Sequence, residues 1–356
     1  MTTLFDPIKL GALDLPNRIF MAPLTRSRAT DEGRVPTDLV REYYMQRANA
    51  GLIVTEATSV DAMGVGYHRT PGIWSEAQVE GWKRVTKGVH SLGGHIVMQL
   101  WHVGRISDPS LLEGRAPIAP SAIAAPGNVS LLRPERPYPV PRAMLVEEIA
   151  EVVEQFRLGA QNAQRAGFDG VEIHGANGYL LDQFLQDISN QRDDQYGGSI
   201  ENRARLHLEV TDAVTSVWGA DRVGMHLAPR GDAHGMGDSQ RDQTFGYLAE
   251  QLGQRKLAFL FSREYLGDDS LGPMLKQKFG GPYVINEKLT IEASEAALEE
   301  GRADAVGFGI KFIANPDLPL RLRQGAPLNP LNKEGLYFGG PAGYTDYPSL
   351  DAVKAA

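Results

Sequence analysis

The sequence contains no cysteine. That absence excludes disulfides, thiolate-held zinc, iron–sulfur clusters and a thiol nucleophile. Basic excess is also missing: 36 Lys and Arg stand against 44 Asp and Glu, for a net charge of −8. A partner built on a phosphate backbone calls for the opposite balance, so no nucleic-acid partner is expected. No apolar run approaches the roughly 18 residues of a membrane span. The opening segment MTTLFDPIKLGALDLPNRIFMAP has no basic stretch followed by an apolar one, so no signal peptide and no membrane partner are predicted. A cytoplasmic enzyme is the expectation.

Present instead are short apolar runs rich in β-branched residues, each followed by a helical pattern. The runs are Arg18–Ala22, Leu52–Ala57, His95–Trp101, Gly170–His174, Val223–Ala228, Leu257–Phe261, Tyr283–Asn286 and Ala305–Gly309. Helical spacing is clearest in Leu145–Ala166, where Ile149, Val152, Val153 and Phe156 share a face; Gln243–Leu252 and Ala293–Leu298 read the same way. Strands alternating with helices imply parallel pairing, and about eight such units favour an α/β fold of one closed (β/α)8 barrel. An open dinucleotide-binding sheet would show GxGxxG after its first strand, where this chain reads APLTRSR. The chain is read as a single domain, 1–356. Two segments break its pattern: 103–142, with eight of the 22 prolines, reads as a lid-like insertion after the third strand, and 329–356 as a C-terminal cap.

In such barrels chemistry sits at the C-terminal strand ends. The sharpest cluster there is His174-x-x-Asn177-x-Tyr179. A neutral imidazole and a carboxamide can each donate a hydrogen bond, so together they can grip one carbonyl or nitro oxygen. A tyrosine beside them offers a proton to a developing carbanion. The plainer reading is a core histidine and a packing aromatic, which three such groups at one strand end weigh against. Thr25 and Gln99 suit a flat heterocycle with donors and acceptors, or simple strand-end capping. Gly307 and Gly309 can present N–H groups to a phosphate, and Lys311 can add charge. Lys288 is either a Schiff-base lysine or a solvated one. The remaining histidines form neither HxH nor HExxH, so no metal site is predicted.

Five segments resemble the old yellow enzyme family, the FMN-dependent ene-reductases. They are LFDPIKLGALDLPNRIFMAPLTRSRA, EATSVDAMGVGY, QLWHVGRIS, GVEIHGANGYLLDQFLQDISNQRDDQYGGSIENRARLHLEV and FIANPDL, and the likeness runs from Leu4 to about Leu350. The resemblance implies one barrel with FMN at its mouth. NAD(P)H would reduce the flavin and leave, and an activated alkene (enone, enal, maleimide or nitroalkene) would then take hydride at its β-carbon, ping-pong. His174 and Asn177 match the pair that binds the substrate oxygen, and Tyr179 matches the proton donor to the α-carbon. Pro23, Leu24, Thr25, Ala57 and Gln99 match flavin-contacting positions. Asn286, Gly309 and Ile310 match the backbone donors to the FMN phosphate. Tyr67 and Trp101 match the wall of the substrate pocket.

Two positions depart from that pattern. Ile310 stands where many members carry arginine, with Lys311 beside it. His226 stands where an arginine usually lies by the flavin N1 edge, and it is the expected cause of weakened FMN binding and slower flavin reduction. Two other readings stay open: a lysine-dependent aldolase or isomerase built on Lys288, and an FMN-binding protein with weak turnover. The choice of NADPH or NADH, the physiological alkene, and monomer against homodimer are not written in the sequence.

Overall fold

The computed structural model describes residues 2–350. Eight parallel strands close into a ring: β1 (Ile19–Met21), β2 (Leu52–Val54), β3 (Ile96–Trp101), β4 (Gly170–His174), β5 (Val223–Leu227), β6 (Phe259–Arg263), β7 (Tyr283–Asn286) and β8 (Ala305–Phe308). Each pairs with the next; β8 pairs with β1, which closes the barrel. The helices expected from spacing are present, with Val146–Arg165, Arg241–Gln254 and Ile291–Glu299 each close to its predicted span. None of the described helices is long and apolar enough to cross a membrane.

Side chains of a strand alternate between faces, and the core divides accordingly. Ile19, Met21, Ile53, Met98, Ile173, Met225, Leu260, Ile285 and Val306 pack outward into the layer beneath the helices. Phe20, Leu52, Val54, Val97, Phe259, Phe261, Val284 and Ala305 form a separate cluster with Leu10, Leu13 and Leu15. Those three leucines belong to an antiparallel hairpin, Ile8–Leu10 with Leu13–Leu15, which plugs one end of the barrel. The sequence reading had no strands there, because three-residue strands are too short to show alternation. Gly11 turns this hairpin at φ +55°, and a Cβ on it would lie 2.1 Å from the Asp221 carbonyl oxygen, so only glycine fits.

The insertion at 103–142 folds over the opposite end. It has little regular structure, a 3-10 turn at Pro109–Leu111 and one strand-like pair, Ile118–Ala119 with Arg142–Ala143. Its own apolar cluster holds it instead: Val103, Ile106, Ala125, Val129, Leu132 and Tyr138 pack with Ala57, Tyr67 and Trp101. Arg105, nearly buried, adds hydrogen bonds to the carbonyls of Ile123 and His234.

The tail is described to Leu350; the remainder of the predicted cap, 351–356, lies outside the described residues. Its attachment is electrostatic. Arg26 and Arg28 donate to the carbonyls of Gly335, Leu336 and Gly343, and Arg47 donates to that of Tyr344 as well as to those of Phe312 and Ile313 in the helix before the tail. Tyr344 stacks on Tyr43 with centroids 4.1 Å apart, and the Arg28 guanidinium lies 4.2 Å from the Tyr344 ring. Buried arginines are tolerable here because most of their N–H groups find carbonyls and the guanidinium groups lie over the Tyr43 and Tyr344 rings.

Candidate functional site

The mouth of the barrel holds a cleft of about 800 Å³. Its residues continue the inward-facing alternation past the apolar layer. On β3 the inward series runs Val97, Gln99, Trp101; on β4 it runs Gly170, Glu172, His174; on β5, Gly224 and His226. On β6 it runs Phe259, Phe261, Arg263, and on β7, Val284 and Asn286. The sequence-predicted Pro23, Leu24 and Thr25 line the same cleft, as do Ala57, Gln99, Trp101 and His226. So do His174, Asn177 and Tyr179, and at the far end Asn286, Gly309, Ile310 and Lys311. Tyr67 is set apart: it lies behind Tyr179 in an adjoining groove under the insertion, and the two hydroxyls are 2.9 Å apart.

The loop after β4 is tightly held. Asn177 is left-handed at φ +60°, which asparagine tolerates, and Gly178 follows at φ +76°. A Cβ on Gly178 would come within 2.8 Å of the Ala233 carbonyl oxygen. From the next helix, Leu180–Leu185, Asp182 accepts the Gly178 N–H at 2.8 Å and Gln183 donates to the Gly178 carbonyl at 2.7 Å. His234 donates from Nδ1 to the Asn177 carbonyl at 2.8 Å.

Those contacts fix hydrogen-bond polarity. The Ala176 N–H donates to His174 Nδ1 at 3.3 Å, so the neutral ring carries its proton on Nε2. Burial holds His174 well below its ordinary value, with His226 and then Arg263 adding to the effect, so the ring stays neutral. Arg263 donates from Nη1 to Asn177 Oδ1 at 2.9 Å, which leaves the Asn177 amide N–H groups to donate. Burial raises the Tyr179 phenol and the Tyr67 hydroxyl lowers it, so it is a proton donor rather than a phenolate. Three donors thus converge on one wall.

The floor carries a buried charge. Glu172 Oε2 accepts from Gln99 Nε2 at 2.7 Å and faces His226 Nδ1 at 3.3 Å. His226 stacks on Phe261, centroids 4.6 Å apart, and its Nε2 is buried with no partner. An orphaned ring nitrogen at the floor of a polar-edged cleft suits an occupant that is flat and hydrogen-bonding. Arg230 does not reach this place; it is buried against Glu264 and Asp269 under Tyr265. At the far end Asn286 donates to the Gly307 carbonyl at 2.7 Å, and Lys311 donates to that of Leu289 at 2.8 Å. The helix Ile310–Ala314 begins there, and its first N–H groups have no intrahelical acceptor. Residues at that end suit the anionic tail of such an occupant.

Arg263 and Glu287 were not among the predicted site residues. The sixth apolar run ends at Phe261, whereas the strand continues to Arg263; counting on by two from Phe259 would have placed Arg263 inside. Lys288 lines the cleft but is exposed. A Schiff-base lysine needs burial, so the aldolase reading fails here. The described residues contain no cluster of three or more metal-ligating side chains.

Comparisons with known proteins bear on the family and the fold. The family described as NADH:flavin oxidoreductase / NADH oxidase matches residues 3–329. A probable flavin mononucleotide-dependent alkene reductase of Leishmania infantum is 43% identical over 359 residues, 98% of this chain and 97% of that one. The old yellow enzyme homologue from Zymomonas mobilis is 46% identical with a TM-score of 0.95, covering 97% of this chain and 99% of the other. Morphinone reductase in complex with tetrahydroNAD is 46% identical, TM-score 0.94, covering 99% and 98%.

The loop that carries the three donors makes stability depend on pH. Burial raises Asp182 from 3.8 to about 7 against the lowering by Gln186 and the Gly178 N–H. A carboxyl whose folded value is raised stabilises the fold when protonated, and that contribution fades as pH rises from about 4 to about 7. Asp182→Asn should therefore unfold with a shallower pH dependence than the parent. Between pH 5 and pH 8 the difference between the two unfolding free energies should move in the variant's favour by up to about 3 kcal/mol. Denaturant titrations at pH 5 and pH 8 measure it; parallel shifts at both would refute the assignment.

Proposed function

The chain belongs to the NADH:flavin oxidoreductase / NADH oxidase family, the old yellow enzymes, and is an FMN- and NAD(P)H-dependent oxidoreductase; from that premise we propose that it reduces activated alkenes at the cleft, with His174 and Asn177 gripping the activating oxygen and Tyr179 supplying the proton. The observation that carries this reading is the pair of fixed donors, His174 Nε2–H and the Asn177 amide, beside the Tyr179 hydroxyl in one cleft.

The residues present fit FMN. His226 Nε2 and Gln99 offer polar contacts at the floor, Pro23, Leu24 and Ala57 offer apolar surface, and Thr25 offers a hydroxyl. Asn286, Gly309, Ile310 and Lys311 would hold the phosphate end. When bound, FMN supplies the hydride exchange between NAD(P)H and an electron-poor carbon. The chain's own residues do the rest. His174 and Asn177 donate to the carbonyl or nitro oxygen and stabilise the negative charge that grows on it, in a site where preorganised donors cost no rearrangement. Tyr179 delivers its proton to the α-carbon. The Tyr67 hydroxyl, 2.9 Å away, holds the phenol in place and can accept or return a proton. Trp101 packs edge-on against Tyr179, centroids 4.9 Å apart, and narrows the pocket on that side. One ligand must leave before the next enters so small a space, hence a ping-pong order.

A visible spectrum of the purified protein, followed by NADPH without oxygen and then an enone, tests the whole reading. A colourless protein, or one whose bleached flavin does not recover with the enone, would refute it. Tyr179→Phe should slow the alkene half-reaction by roughly 10²–10⁴-fold and leave the nicotinamide half-reaction nearly intact; equal losses would remove the tyrosine from the mechanism. Changing both His174 and Asn177 to Ala should weaken phenol binding by several kcal/mol at most, since each neutral hydrogen bond contributes roughly 0.5–1.5 kcal/mol. The long-wavelength band of phenols stacked on oxidised flavin reports it, and an unchanged titration would make the pair structural.

His226 favours a second, related reading: tuned-down flavin affinity. Histidine is shorter than arginine and not permanently charged, and here its Nδ1 is turned toward Glu172. Only Nε2 is left to face an occupant. His226→Arg should tighten retention of FMN, most of all the reduced form, by about ten-fold or more, since a hydrogen bond to a charged group is worth roughly 1.5–3 kcal/mol. FMN dissociation constants and the flavin reduction potential measure this; a variant no tighter and no easier to reduce makes the histidine a neutral replacement.

A further inference from the structure

Arg263 is the one arginine that lines the cleft among the described residues. It ends the inward series of β6, and its side chain is 42% exposed. Its guanidinium is held from two sides. Nη1 donates to Asn177 Oδ1 at 2.9 Å, and Nε pairs with the carboxylate of Glu287. Glu287 has φ +111° and Lys288 φ +50°, two consecutive non-glycine residues in the left-handed half of conformational space. Such backbone costs energy and persists only where its surroundings enforce it. Here the bend after β7 turns the Glu287 carboxylate back onto Arg263.

An asparagine carboxamide is a donor at one end and an acceptor at the other, and rotation by half a turn exchanges them. At Asn177 the two ends are not equivalent. With Oδ1 on the guanidinium, the bond is charge-assisted; rotated, two N–H groups would face a cation that has nothing to accept with. Resting on the oxygen grip proposed above, we propose that Arg263 is a positioning residue that locks the Asn177 carboxamide as a donor and so commits this cleft to substrates whose activating group accepts hydrogen bonds. The pairing also withdraws electron density through the amide, which strengthens its N–H groups as the substrate oxygen gains charge. The same cation helps to hold His174 neutral and to lower the Tyr179 phenol, though it is a lesser cause of either shift than burial. The fixed positive charge of this wall therefore sits on β6, with a histidine on β5.

A double-mutant cycle on the FMN-loaded protein tests this, with 4-chlorophenol as the probe and its dissociation constant read from the long-wavelength band. A charge-assisted bond biases an equilibrium by roughly ten- to hundred-fold. Arg263→Met should weaken 4-chlorophenol about ten-fold in the parent and less than about two-fold in an Asn177→Ala background. Arg263→Lys should recover part of the loss, because an ammonium can still donate to Oδ1. A simple packing defect would do neither. Glu287→Gln, which loosens the guanidinium without removing it, should weaken the probe in the same direction and carries the test if Arg263→Met sheds FMN or unfolds. Equal losses in both backgrounds, or none, would overturn the role of Arg263 and leave the oxygen grip standing. An Asn177→Ala protein that binds the probe as the parent does would overturn the grip, and this inference with it.

Discussion

Eight parallel strands closed into a ring leave each side chain only two directions, and the site follows from that constraint. Inward positions are apolar through the middle of the barrel, where Phe20, Val54, Val97, Phe259, Phe261 and Val284 meet. One or two steps further along each strand the same parity delivers Gln99, Trp101, Glu172, His174, His226, Arg263 and Asn286. A register slip of one residue in any strand would send its polar group into the helix layer and an apolar one into the cleft. The apolar plug below therefore fixes the chemistry above it.

The electrostatics of that ring are uneven. Glu172 is wholly buried; its Oε2 meets Gln99 and His226, both on neighbouring strands, while its Oε1 has no partner. Beyond it on the same side of the ring, His174, Asn177 and the Glu287-paired Arg263 carry the donors, with the His174 ring centroid 5.6 Å from that of His226. An occupant thus meets a histidine backed by Glu172 and an amide backed by Arg263 as near neighbours. Burial of Glu172, His174 and His226, and the bonds that tie Asn177 to Arg263 and Arg263 to Glu287, set this polarity before any ligand arrives.

Much of this was legible before any coordinates. The eight strands show as β-branched runs, and His174, Asn177 and Tyr179 fall within six consecutive residues, so their convergence needs no tertiary knowledge. The hidden parts share a physical cause: their partners are far away in the chain. Nothing in the sequence pairs Arg26, Arg28 and Arg47 with the carbonyls of the tail, which lie far along the chain. The insertion shows no period because an irregular apolar cluster and the Arg105 bonds to main chain, not helix or ladder, hold it. Arg263 lies beyond the sixth apolar run, which Ser262 interrupts after Phe261. His226 was legible as a position, but its pairing with Glu172 required the β4–β5 register.

The insertion and the tail share a mode of attachment. Arg105 binds the carbonyls of Ile123 and His234, and Arg26 and Arg28 bind those of Gly335, Leu336 and Gly343. Every amino acid supplies a carbonyl. The anchors therefore place almost no demand on what the anchored residues are, while holding where they are. Exposed side chains in the roof, such as those of Arg133 and Glu135 along the groove beside Tyr179, are free to drift by mutation without loosening the roof itself. The shape of the groove can change there while Tyr179, His174 and Asn177, fixed to the barrel by other bonds, stay still.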